Sequence, residues 1–186
     1  FTATQDIMLA EMNIDGEGKK VLMQAPKNGF FYVIDRENGK LLRAHNYVPV
    51  NWATHVDLDT GRPVLNEDKD YTKKPEWVLP GSYGGHNWQA MSYDPTLGLV
   101  YIPTHEVAAV FVPLKGYYKM KPGTYNTGTD FYVNDVAATM SDIPPITGAL
   151  KAFNPLTGET KWSIVHNHFW NGGTLSTSSG ITFQGN

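Results

Sequence analysis

Three stretches of the chain repeat one pattern. They are VIDRENGKLLR (33–43), SYDPTLGLVYI (92–102) and AFNPLTGETKW (152–162). Each has Asp or Asn at its third place and Gly at its seventh, and successive copies stand 59 and 60 residues apart. The pattern reads as a hairpin: a strand, a side chain able to bond its own backbone, a Gly free to take positive φ, and a second strand. One such turn suits any β protein, whereas three at a near-constant spacing mark an internal repeat. Further strand-like segments lie at 98–104, 107–112, 148–153, 161–165 and 181–184. The expected fold is all-β, a β-propeller of four-stranded blades carrying about three repeats.

Two polar stretches rich in Gly, Pro and aromatics, 48–77 and 115–145, read as long loops inserted between strands. Loops of that length are usually functional or disordered. A short helix is expected within 130–140. A closed propeller usually has at least four blades. Residues 1–186 are therefore expected to be a single segment of a larger propeller domain, incomplete at both ends. Alone, such a segment would expose blade edges and tend to aggregate.

Composition narrows the function. Hydrophobic residues make up 41% and charged residues 18%, an ordinary globular balance. A net charge of −3 argues against a nucleic-acid partner or a polybasic membrane surface. The absence of cysteine excludes disulfides, thiolate metal sites and a haem attached through C-x-x-C-H within this sequence.

Two stretches carry candidate chemistry. QAPKNGFFYVIDRENGK (24–40) places Asn28-Gly29 between two apolar runs, which predicts a type I′ hairpin turn. Lys27 stands against that turn, either as a solvated surface charge or as a cation aimed at a ligand. GGHNWQ (84–89) offers an amide at Asn87 and an indole at Trp88, with Gly84 and Gly85 allowing close backbone approach. The alternative is a core Trp beside a turn Asn. DLDTG (57–61) lacks the ligand spacing of a calcium loop and reads as a hairpin turn. His166 and His168 share a strand face without a third zinc ligand.

Longer motifs carry a resemblance. Residues 152–162, with Ala152, Asn154, Gly158 and Trp162, resemble the tryptophan-docking motif of the quinoprotein alcohol dehydrogenases, with Asn where Asp is usual. The first two repeats depart from it, with Arg43 and Ile102 in the Trp place. FTATQDIMLAEMNIDG, QAPKNGFFYVIDRENGK, VPVNWATHVDLDTGRPV, GGHNWQAMSYDPTLGLVYIP and FWNGGTLSTSSGITFQG resemble the quinohaemoprotein and membrane-bound branches that use pyrroloquinoline quinone (PQQ). The resemblance covers essentially the whole chain. It implies about three blades of an eight-bladed propeller, with PQQ and calcium on its axis, and a periplasmic alcohol dehydrogenase. Electrons would pass to a cytochrome c or a membrane quinone, with haem c in a separate domain.

By the same resemblance, Lys27 would face the quinone oxygens, Asn87 and Trp88 would line the PQQ pocket, and Trp162 would dock, buried, on a neighbouring blade. The calcium ligands would lie upstream. The family's catalytic aspartate would stand immediately before Phe1, so no catalytic residue is expected within the segment, which alone would be inactive. Asp6 and Asp15 fall at other places in the pattern. Two other readings stay open: a non-catalytic propeller scaffold, and a quinoprotein acting on sugars or polyols.

Overall fold

A computed structural model describes residues 1–114, 116, 119–124, 126–130 and 138–185. The first sheet is a meander of β1 (Met8–Ile14), β2 (Glu17–Gln24), β3 (Phe30–Asp35) and β4 (Leu41–Asn46). Its first turn is a two-residue loop. Ile14 pairs with Glu17, and Asp15 and Gly16 both take positive φ, 54° and 89°. That is the type I′ geometry whose twist suits a hairpin.

The chain then forms a small hairpin of β5 (Ala53–Val56) and β6 (Pro63–Leu65), a 3-10 turn (Glu67–Lys69), and β7 (Glu76–Val78). The stretch 48–77, expected to be loop, thus contains strands. The DLDTG segment closes the β5–β6 hairpin: Asp57 Oδ1 accepts from Thr60 N at 2.7 Å, and Gly61 has φ 68°. It is a fourth copy of the Asp-x-x-x-Gly turn and a hairpin, as the spacing predicts.

The second large sheet runs in the order β13-β12-β9-β8, from β8 (Ser92–Asp94), β9 (Leu99–Glu106), β12 (Thr147–Phe153) and β13 (Thr160–His166). Between β9 and β12 the chain leaves to form β10 (Ala109–Pro113) and β11 (Thr129–Asp130), which join β7 in a three-stranded sheet. A last hairpin joins β14 (Thr174–Ser176) and β15 (Thr182–Gln184). The helix expected within 130–140 falls largely outside the described residues.

All three repeat turns form as their chemistry requires. Asp35 Oδ1 accepts from Glu37 N, Asp94 Oδ1 from Thr96 N and Leu97 N, and Asn154 Oδ1 from Leu156 N and Thr157 N, each at 2.8–3.1 Å. Gly39, Gly98 and Gly158 have φ of 78°, 65° and 75°. The distribution among blades differs from one hairpin per blade. The second and third hairpins share the β8-β9-β12-β13 sheet, because β9 pairs with β12 over seven residues once the 107–146 excursion is bridged. The spacing of 60 between them therefore arises within one blade.

The two large sheets pack face to face. Val21, Met23, Phe31 and Val33 meet Val100, Ile102 and Phe153 in one buried cluster. Phe31 and Phe153 lie 5.5 Å apart at 44°, a tilted pair that contributes about 0.5–1.5 kcal/mol beyond its buried area. Alternate residues of β9 and β12, Leu99, Tyr101, Leu150 and Ala152, form a second cluster on the opposite face. Lys151 ties the sheets at their margin, with Nζ 2.7 Å from Glu106 and 3.2 Å from the Tyr47 carbonyl.

Trp162 is 39% exposed within this chain and rests on Tyr101 of its own sheet, with centroids 5.6 Å apart. Both residues pair with Ala152, whose small side chain leaves room for the rings to meet above it.

Candidate functional site

In each large sheet the Asp/Asn-Gly turns close one end of the strands, and the candidate residues lie in loops at the other end. The loop 25–29 joins β2 to β3. It is not the expected Asn-Gly type I′ turn. Gly29 has φ 93°, but among the described residues Asp15 is the only non-glycine with positive φ. The strands have already diverged, Gln24 pairing with Tyr32, so a two-residue loop cannot join them. Asn28 instead accepts from Phe30 N at 3.1 Å and donates to the Tyr32 hydroxyl at 2.7 Å.

Non-local bonds hold the loop. The carbonyl of Pro26 accepts from the Tyr47 hydroxyl, that of Lys27 from Gly85 N, that of Asn28 from Trp52 Nε1, and that of Gly29 from Tyr47 N, all at 2.7–3.0 Å. The Ala25 carbonyl lies 2.9 Å from His86 Nδ1. Five successive carbonyls are thus engaged by groups distant in sequence. The backbone under Lys27 is fixed more firmly than a turn alone would fix it.

Gly84 and Gly85 bring the second motif onto this loop. A Cβ on Gly84, whose φ is 83°, would come within 2.5 Å of Lys27 Cγ. One on Gly85 would come within 2.5 Å of Val48 Cγ2. Gly84 thus packs on the stem of Lys27, and Gly85 on Val48 and the Tyr47 ring. Among the described residues no hydrogen bond or ion pair engages the Lys27 ammonium.

A cavity of about 1140 Å³ opens beside Lys27. Phe1, Trp52, Tyr71 and Phe111 line it, with Gly81 and Ser82 from the loop ahead of GGHNWQ. Trp52 packs against Phe1 at 5.3 Å, and Tyr71 against Phe111 at 4.9 Å. The other lining lysines are neutralised: Lys69 by Glu76 at 2.8 Å and Lys73 by Asp70 at 3.0 Å. The Thr72 hydroxyl and Lys73 hold the Asp70 carboxyl down at about 2.

Asn87 and Trp88 do not line this cavity. Asn87 is buried and accepts from Thr4 Oγ1 and Trp88 N, while donating to the Tyr83 carbonyl. Trp88 is 65% exposed, with its ring edge-on to Trp170 at 6.3 Å. Beneath Trp170, His105 stacks at 5.0 Å and 17°. Burial, then the neighbouring His86, pushes the His105 imidazole down to about 4. Lys27 and Asn87 thus meet through the shared 81–90 loop, not in one cavity.

Sequence reasoning did not single out Trp52, Tyr71 or Phe111. Their one visible signal is that large aromatics sit in or beside polar insertions, although Trp52 also packs on the small core of Phe30, Ala53 and Val56. Asp15 serves the first turn and grips Arg43 with both carboxylate oxygens at 2.7 Å, so it has no place at the site. Among the described residues no group of three or more His, Asp or Glu could hold a metal. His166 Nε2 instead meets Gln184 Oε1 at 3.0 Å.

No family model matches the chain. It is 48% identical over its whole length to the quinohaemoprotein alcohol dehydrogenase ADH IIB of Pseudomonas putida, of which it covers 26%. It is 37% identical over its whole length to 1-butanol dehydrogenase (cytochrome c) of Thauera butanivorans, covering 27%. The solved quinohaemoprotein alcohol dehydrogenase ADHIIG of Pseudomonas putida superposes with a TM-score of 0.84 at 39% identity, over 97% of this chain and 27% of that one. The chain spans about a quarter of the length of the curated relatives it matches. Over its whole length the chain is thus similar to one segment of the quinohaemoprotein alcohol dehydrogenases.

Proposed function

We propose that this chain is part of the propeller domain of a periplasmic, PQQ- and calcium-dependent dehydrogenase that oxidises alcohols to aldehydes or ketones. Electrons leave to a cytochrome c, as the name of the Thauera relative suggests, or to a membrane quinone. The observation that carries this reading is Lys27: an ammonium without a carboxylate partner among the described residues, on a loop locked through five carbonyls, at the wall of a cavity. The remaining blades are the partners of its exposed strands, where Leu9, Ile164, Val165 and Phe183 are each more than half exposed.

The residues fit an anionic planar cofactor. Lys27 supplies an unneutralised positive charge, and Gly84 removes the Cβ that would push its stem aside. When bound, PQQ supplies an ortho-quinone that accepts hydride from the alcohol. Lys27 lowers the energy of negative charge growing on an oxygen at the cavity wall, more in the transition state than before it. The Asn87–Thr4 and Asn87–Tyr83 bonds fix the 81–90 loop, so that Gly85 keeps Lys27 in place. Asn87 and Trp88 do not line the cavity beside Lys27, so their place at the cofactor pocket rests in this proposal on the resemblance of GGHNWQ alone.

Asp70 is poorly suited to accept a proton, because its carboxyl is held at about 2. The family aspartate remains the base in this reading. The described residues do not provide a calcium site, so calcium is assigned ligands elsewhere in the protein and no step here. Haem c is assigned to a separate domain, since this sequence has no cysteine. A scaffold would have no use for an unpaired lysine at a cavity.

Steady-state kinetics of the full-length enzyme, saturated with PQQ and calcium, test the reading. Lys27→Ala should lower kcat about 10²–10³-fold, as loss of one oxyanion-stabilising donor does. PQQ affinity should fall less, since its carboxylates have other partners. Lys27→Arg should restore part of the rate. An unchanged kcat in Lys27→Ala with PQQ bound would return Lys27 to the surface and overturn the reading.

A further inference from the structure

The loop that carries Lys27 is closed from outside. Its own turn bond, from Gly29 N to the Pro26 carbonyl, is a long one of 3.3 Å. Tyr47, buried and directly following β4, supplies the firmer closure. Its amide donates to the Gly29 carbonyl at 3.0 Å, one step past the Phe30–Asn46 pair of the β3–β4 ladder. Its hydroxyl reaches back and donates to the Pro26 carbonyl at 2.7 Å. One residue thus holds both ends of Pro26–Gly29, with Lys27 and Asn28 between. Burial pushes the Tyr47 hydroxyl well above its ordinary value, so it stays a donor across the neutral range. Tyr47 is held in turn from the second sheet. Lys151 Nζ lies 3.2 Å from the Tyr47 carbonyl and 2.7 Å from Glu106 Oε1. Glu106 pairs with Thr147 where the chain leaves β9 and returns in β12. Tyr47, Lys151 and Glu106 do not line the cavity beside Lys27, so they reach it only through the loop.

We propose that Tyr47 is a positioning residue for the Lys27 ammonium, bracketing its loop through the Pro26 and Gly29 carbonyls, with Lys151 as the second link. The proposal rests on the reading of Lys27 as the cation that stabilises negative charge on the quinone. Tyr47 acts through Lys27 and touches no reacting atom. A misplacement of about 1 Å, caused away from the chemistry, can cost about 10²-fold in rate. Phe at position 47 keeps the ring and the amide bond and removes only the link to Pro26, whose buried carbonyl is then left with the long Gly29 bond.

The test is a double-variant cycle in the full-length holoenzyme, with rates expressed per bound PQQ. Tyr47→Phe should lower kcat and kcat/KM together, about ten- to a hundred-fold, because only transition-state stabilisation is lost. In the Lys27→Ala background the same substitution should change kcat less than about two-fold, since the charge it positions is gone. A merely structural Tyr47 would lower kcat equally in both backgrounds. Lys151→Met should give a smaller fall that also vanishes with Lys27→Ala, and it decides the question should Tyr47→Phe fail to fold. In the cofactor-free protein, hydrogen exchange in Tyr47→Phe should quicken across 25–30 and 81–86 and stay native across 35–40. An unchanged kcat, or equal falls with and without Lys27, would overturn the proposal and leave the assignment of Lys27 standing. Exchange that quickens equally across 35–40 would overturn it as well, by showing general loosening. A silent Lys27→Ala would overturn the assignment of Lys27 itself, and this proposal with it.

Discussion

The two ends of the large sheets are built on different physics. At one end, the turns at 35–39, 94–98 and 154–158 satisfy themselves. An Asp or Asn oxygen caps amides two or three residues on, and a Gly takes the left-handed conformation. Around Gly39 and Gly98 nothing lies within 4 Å of where a Cβ would stand. At the other end, the loops at 25–29 and 81–90 satisfy each other. Their carbonyls and amides reach across tens of residues, and Gly84 and Gly85 are packed to the limit against Lys27 and Val48. Structure that is solved locally tolerates change and carries no chemistry. Structure that is solved between distant segments is rigid, and that is where a charge can be aimed. Gly158 sits between the two kinds: its turn is local, yet its Cβ position lies 2.8 Å from His45 Cγ in the other sheet.

Substituting glycines gives the largest expected effect. In the full-length protein, Gly84→Ala should cost about 2–5 kcal/mol, combining left-handed strain with overpacking against Lys27. Gly39→Ala should cost only the strain, about 1–2 kcal/mol. Urea denaturation of both variants checks this; equal costs would erase the distinction between the two ends.

Acid comes next. Burial depresses the His105 imidazole to about 4 from an ordinary value near 6.5. Below pH 6.5 the unfolded chain takes up a proton that the folded chain refuses. Stability should therefore fall by about 1.4 kcal/mol per unit between roughly pH 6.5 and 4. Above that window it should not change from this source. His105→Phe, which keeps the stacked ring, should flatten the slope, as followed by denaturation at several pH values.

The smallest effect belongs to the turn end. Arg43 Nη2 donates to both Asp15 oxygens, but Asp15 is 74% exposed. Arg43→Gln should cost no more than about 1 kcal/mol, and added salt should shrink even that. A loss of several kcal/mol, measured by the same denaturation, would show that this end is more than a set of closures.

The contrast also decides what could be read without coordinates. The three hairpins were legible because Asp35, Asp94, Asn154 and their glycines act within five residues. The pairing of β9 with β12 was not, because nothing in either strand names its partner. Two hairpins in one blade therefore looked like two blades. The Asn28-Gly29 signal is strong locally, but the Tyr47, Trp52 and Gly85 donors outbid it and draw the loop open. Lys27 was found by motif, whereas the cavity it faces depends on Trp52, Tyr71 and Phe111, which only the fold brings near it.

The excursion between β9 and β12 has a consequence for how such a protein can change. Seven residue pairs join those strands although residues 107–146 intervene. Closing a flexible loop costs entropy only logarithmically, and doubling its length adds about 0.6 kcal/mol. Phe111, the brace of Tyr71, rides on that excursion. Natural variation could lengthen or recompose it at small energetic cost while the ladder stays intact. The two hairpins of this blade would keep their register through such a change, because the seven pairs that join them lie wholly outside the excursion.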